Sequence, residues 1–143
     1  MKAFTLIEVL VVVAIIAILS VITLIFVGNY QDKADDVVIG VDLSQIRKIA
    51  AMLYIDEYSY ESICDAGTIK NDLIEYPQLR LIEDKVEEII GEYPVCFSEK
   101  REYCVQSELI SGEYFCVDFT GFAGKIEGDY CENINGRRNC SSK

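Results

Sequence analysis

The sequence has no histidine and no tryptophan, and its 13 Lys and Arg are outnumbered by 24 Asp and Glu, a formal charge of −11 over 143 residues. Without histidine, the usual general base, the commonest metal ligand and every Ser-His or Cys-His nucleophile pair are missing. No two of the six cysteines stand in a CxxC spacing, so a zinc site is not supported. The shortage of basic residues argues against direct nucleic-acid binding, whose phosphates require a surplus of Lys and Arg, and against a surface that lies along anionic lipid. The acidic run Glu127, Asp129 and Glu132 has no apolar neighbourhood to raise a pKa, and it lacks the fixed ligand spacing of an EF-hand. It reads as a solvated loop, and the short basic spot Arg137-Arg138 reads as surface. Neither an enzyme nor a cofactor is expected.

What the sequence does have is one long hydrophobic run. From Phe4 to Val27 the chain is apolar except for Glu8 and scattered hydroxyls. As a helix, 24 residues reach about 36 Å, enough to cross a hydrocarbon core of roughly 30 Å with some tilt. A secretory signal peptide fits poorly, since the run is longer than an h-region and no small-x-small cleavage site follows it. A plain uncleaved anchor fits the length but leaves Glu8 unexplained. A carboxylate in lipid costs several kcal/mol at depth and somewhat less near a helix end, so it marks a functional candidate with a partner to be named. If the chain is cut between Ala3 and Phe4, the new α-amine lies four residues before Glu8, on the same helix face. Ammonium and carboxylate can then neutralise each other, within a chain or between neighbouring chains.

The stretch Phe4-Thr5-Leu6-Ile7-Glu8-Val9-Leu10-Val11-Val12-Val13-Ala14-Ile15-Ile16 resembles the class III signal of type IV pilins and pseudopilins. The resemblance implies an α+β fold: a long N-terminal helix, half protruding, whose second half packs on a small antiparallel sheet. It implies that a prepilin peptidase on the cytoplasmic face removes residues 1–3 as a leader and methylates the Phe4 amine. It also implies that Glu8 pairs with the Phe4 amine of another subunit in a helical filament, built with an inner-membrane assembly platform from like or related pilins. By the same resemblance the chain is expected before assembly to be a single-pass membrane protein, N-terminus cytoplasmic and C-terminal domain extracytoplasmic, and after assembly to lie in a surface or periplasm-spanning filament. Two departures stand out. Ala3 occupies the position before the cut where the family usually has Gly, and Ala17 and Ile25 stand where many pilins carry Gly and Pro. Without those helix breakers, mid-helix melting during assembly is not expected. Losing the leader removes Lys2 and leaves 12 basic against 24 acidic side chains, a balance of −12.

After the filament-core helix at 4–27, residues 28–143 read as the soluble domain. Gly28-Asn29-Tyr30 marks the membrane exit, and the helix is expected to continue to residue 58. There Ile39, Leu43, Ile46, Ala50 and Leu53 repeat at four, three, four and three, with Asp42, Gln45, Lys48 and Asp56 opposite. Gly40 weakens that helix by about 1 kcal/mol relative to Ala and makes a bend possible. Residues 65–93 read as a connecting region with a short helix near 78–90, between Pro77 and Gly91. Strands fill 94–119, with a hairpin across Ser111-Gly112. Residues 120–143 read as a stapled C-terminal loop.

Six cysteines beyond a membrane anchor suggest three disulfides in an oxidising compartment. Strand parity leaves the pairing open. A two-residue turn at 111–112 puts Cys104 and Cys116 on opposite faces, whereas a three-residue loop at 110–112 makes them marginal diagonal neighbours. Cys96–Cys104 is geometrically better if residues 99–101 form a three-residue loop. The resemblance favours Cys131–Cys140, closing a C-terminal loop, and Cys104–Cys116, which leaves Cys64–Cys96. For function, the expected role is a structural filament subunit. The alternatives are a pseudopilin of a type II secretion or DNA-uptake machine, and a monomeric membrane-anchored binding domain that keeps residues 1–3 and is indifferent to Glu8→Ala.

Overall fold

A computed structural model describes residues 5–70, 74–128, 130–131 and 139–140, without the side chains of residues 24–27 and 29. Helix α1 runs Leu6–Glu57 and is shared by two compact units, residues 1–34 and 35–143. In the first unit, the described side chains are exposed throughout, Leu6 by 82%. Two hydroxyls in this apolar stretch are satisfied by the helix itself: Ser20 Oγ donates to the Ile16 carbonyl at 2.7 Å and Thr23 Oγ1 to that of Ser20 at 2.9 Å. A polar group in hydrocarbon is tolerated on those terms.

In the second unit the expected stripe is the core. Ile39, Leu43, Ile46, Ala50 and Leu53 of α1 are all buried, joined by Ile49. Asp42, expected on the solvent side, is also buried. Its carboxylate takes the Lys85 ammonium at 2.8 Å and the Gln45 amide at 3.3 Å. The helix stays unbroken through Gly40 and stops at Glu57, where Tyr58 turns to φ 53°.

The connecting region folds more than expected. Strands β1 (Cys64–Asp65) and β2 (Thr68–Ile69) form a hairpin whose two turn residues, Ala66 and Gly67, have φ 52° and 93°. Positive φ at both positions gives the turn twist that suits a tight hairpin. Helix α2 (Pro77–Ile90) starts on proline, which needs no N–H there, and ends at Gly91 in the left-handed conformation, whose N–H caps the Glu87 carbonyl. Leu79, Ile82 and Val86 bury its inner face.

Four antiparallel strands follow in sequential order: β3 (Val95–Ser98), β4 (Tyr103–Glu108), β5 (Tyr114–Asp118) and β6 (Ala123–Ile126). Strand β6 lies where only loop was expected; it extends the sheet on β5. Two registers decide which residues meet. Cys96 stands opposite Val105 and Phe97 opposite Cys104, so residues 100–101 form a two-residue turn in place of the three-residue loop considered above. Gln106 stands opposite Cys116, and Leu109 N–H bonds Glu113 O, which leaves a three-residue loop at 110–112. Because side chains alternate, Cys96, Tyr103, Val105 and Val117 share one sheet face, while Cys104, Gln106, Cys116 and Asp118 share the other. The first face packs into the core with the α1 stripe. The architecture is α+β, stapled by three disulfides.

Candidate functional site

The head of α1 carries Glu8 in its first turn. Its Oε2 accepts the Thr5 backbone N–H at 3.3 Å and the Thr5 hydroxyl at 3.1 Å, and Glu8 N–H bonds the Thr5 carbonyl at 3.1 Å. This is one half of a capping box, Thr-x-x-Glu, in which the carboxylate satisfies an orphan N–H and sits at the positive end of the helix dipole. The Thr5 contribution was readable in the sequence as T-x-x-E before an apolar run, a signal the spacing to Phe4 overshadowed. Ala3 and Phe4, the expected cleavage pair, lie outside the described residues. Behind Glu8, Leu6–Thr23 forms a stretch with mean hydropathy 3.0, long and apolar enough to cross a membrane, and this fits a membrane anchor.

A second feature lies on the sheet face away from α1. Cys104 is bonded to Cys131 and Cys116 to Cys140, while Cys64 is bonded to Cys96. The expected Cys131–Cys140 and Cys104–Cys116 pairs are not formed. The register explains why. Cys104 and Cys116 do share a face as diagonal neighbours, with sulfurs 3.7 Å apart, but Tyr130, Cys131 and Cys140 are held on that face by hydrogen bonds. Gln106 Oε1 accepts the N–H groups of Tyr130 and Cys131 at 2.9 and 3.0 Å, and Asp118 Oδ2 accepts that of Cys140 at 2.7 Å. Each C-terminal cysteine is thereby delivered to a different strand. Cys96 faces the core side, where Cys64 meets it, and cannot reach Cys104. The sulfurs of Cys104, Cys116 and Cys140 lie within 4.8 Å of one another; held in disulfides, they offer a metal no thiolate.

Asp118 is fully buried, and its Oδ1 also accepts the Thr120 N–H at 2.8 Å, the Thr120 hydroxyl at 2.6 Å and the Phe122 N–H at 3.3 Å. That donor set stabilises a buried carboxylate that has no cationic partner among the described residues. On the helix side, Tyr54 stacks on Tyr60 at 4.6 Å and Tyr60 meets Tyr103 at 4.9 Å. Burial, then the neighbouring Tyr60 phenol and Asp118 carboxylate, hold the Tyr103 phenol well above its usual pKa. Tyr76 is pushed up to about 12 by its 2.7 Å hydrogen bond to Asp56. Phenols so raised stay protonated at physiological pH and are structural donors rather than bases. Of the acidic run, Glu127 is exposed, and Asp129 and Glu132 lie outside the described residues, as do Arg137 and Arg138.

Neither curated proteins nor solved structures give a match to the chain. Residues 1–24, however, match the prokaryotic N-terminal methylation motif, and with Glu8 at the head of an exposed apolar helix this is the class III signal that marks type IV pilins and pseudopilins.

Proposed function

We propose that this protein is a structural subunit of a type IV pilus-like filament. A prepilin peptidase cleaves it between Ala3 and Phe4, the Phe4 amine is methylated, and the inner-membrane platform then draws the anchored subunit into the filament. The observation that carries this reading is the methylation motif on a helix whose leading carboxylate sits beside the cut. Cleavage creates an ammonium one residue before Thr5 and four before Glu8, whose Oε2 already engages Thr5. Neutralising that charge pair removes most of the penalty for holding Glu8 in an apolar bundle. The apolar helices then form the core, and the acidic stapled domain faces outward. It does not bind nucleic acid directly.

The test is the mass of the N-terminal peptide together with the fate of Glu8→Ala. The mature chain is expected to begin at methylated Phe4, and Glu8→Ala is expected to be cleaved and folded but to yield no filaments. A chain that keeps Met1, and works as well with alanine at position 8, would be a monomeric anchored domain instead.

A further inference from the structure

Building on the filament reading, we propose that the soluble domains also join head to tail, the Lys100–Arg101 turn of one copy entering a groove at the far end of the β3–β4 hairpin of the next. The groove, about 330 Å³, is formed by Ile89, Ile90 and Glu92 at the end of α2 with Glu108, Leu109 and Ile110. A smaller depression of about 190 Å³ continues from it past Tyr93 and Val95, sharing Ile90, Glu92 and Glu108. Its apolar wall includes Ile110, which is 41% exposed, and two carboxylates stand over it. Neither Glu92 nor Glu108 is paired with a cation among the described residues. A pocket that combines apolar floor and unpaired carboxylates suits a long basic side chain, whose methylene stem covers the floor while its head meets the acids.

The same hairpin presents that ligand at its other end. Lys100 and Arg101 form the exposed tip between Ser98 and Tyr103, with Glu99 and Glu102 closing the turn behind them. Their side chains make no ion pair among the described residues, whereas Arg80, Lys85 and Lys125 each have one. Arg101 and Glu108 stand seven positions apart along extended chain, roughly 23 Å. Complementary patches at opposite ends of one element make a heterologous contact, which propagates along a filament when the rotation between neighbours does not close a ring, as the helical assembly of the filament reading requires. For a domain this acidic, like charge repels neighbours over most of the surface, and a basic tip in an acidic groove fixes the register at which they approach.

The experiment reverses each end in the full chain: Lys100→Glu with Arg101→Glu, and Glu92→Lys with Glu108→Lys. Each double variant alone is expected to lower filament yield at least tenfold. Mixing the two populations should restore it to within about threefold, because the acidic tips of one then meet the basic grooves of the other. Carbodiimide coupling of unsubstituted isotopically mixed chains should give a peptide joining Lys100 of one copy to Glu92 or Glu108 of another. Filaments that form without this peptide, or reversals that leave yield unchanged or fail to complement, would overturn the contact. So would rescue of the groove variant by Arg137→Glu with Arg138→Glu, which would make the chain's own C-terminal segment the occupant. If the peptide forms but no filament is seen, the contact stands and the filament reading falls.

Discussion

One face of the four-stranded sheet is closed by α1, which buries Ile39, Leu43, Ile46, Ala50 and Leu53; the other carries Tyr130, Cys131 and Cys140, whose backbone N–H groups bond Gln106 and Asp118 and whose two cysteines are bonded to Cys104 and Cys116. The first closure is apolar area, worth about 1.5–3 kcal/mol for each large side chain taken from water. The second is covalent and polar, with each disulfide typically worth about 2–4 kcal/mol. A helix covers a sheet because its period presents a continuous stripe. Irregular chain presents no stripe, so it is held by staples and by carbonyl and carboxylate acceptors that rise from the strand. The helix side carries one disulfide, Cys64–Cys96, beside a large apolar contact, whereas the stapled side rests on two disulfides and a few hydrogen bonds and so depends more on redox conditions.

The largest effect should come from the helix side. Leu43 is fully buried, and Leu43→Ala removes its contacts and leaves a cavity between helix and sheet. A loss of about 2–5 kcal/mol is expected, read as a fall in thermal midpoint with all three disulfides intact. On the stapled side, Cys116→Ser with Cys140→Ser should cost about 2–4 kcal/mol and make what remains less sensitive to reductant than the parent. If the double serine variant were as stable as the parent, the hydrogen bonds alone would be holding the segment, and the contrast between the two faces would weaken.

Those hydrogen bonds are tested at Asp118. Replacing it by alanine strands the Cys140 N–H in a buried site, while the partners on exposed Thr120 can turn to water. About 1–3 kcal/mol is expected, with faster amide exchange at Cys140 and little change in the α1 amides. Uniform acceleration across both faces would show that Asp118 supports the whole sheet and not only its cover.

The two faces also differ in how far the sequence reveals them. The stripe on α1 is legible because a helix declares its buried side every three or four residues, and nothing distant alters that pattern. Disulfide pairing is set by strand register, and register by single residues in turns. A two-residue turn at Lys100–Arg101 in place of three moves Cys96 to the core face and away from Cys104. Strand β6, Ala123-Gly124-Lys125-Ile126, has no clean alternation and a glycine inside it, so propensity points to loop, and pairing with β5 decides otherwise. At the head of α1 the carboxylate and its Thr5 partner are both legible as T-x-x-E, and capping geometry decides which Thr5 groups Glu8 engages.

The smallest effect should lie at Gly40, where helix propensity and packing oppose each other. Glycine in mid-helix costs about 1 kcal/mol relative to alanine, so Gly40→Ala should stabilise α1 if nothing stood against it. The Phe115 ring of β5 does: a Cβ at position 40 would come 3.0 Å from its Cε2, and the ring must yield by a few tenths of an ångström. Phe115 is only half-buried, so it has room to tilt outward. The two terms should nearly cancel, leaving Gly40→Ala within about 0.5 kcal/mol of the parent in a melt, whereas Gly40→Leu overpacks the contact and should cost about 1–3 kcal/mol. A loss above about 1.5 kcal/mol for the alanine variant would mean that the ring is fixed, and that the helix was made to carry a glycine so that the sheet could approach it.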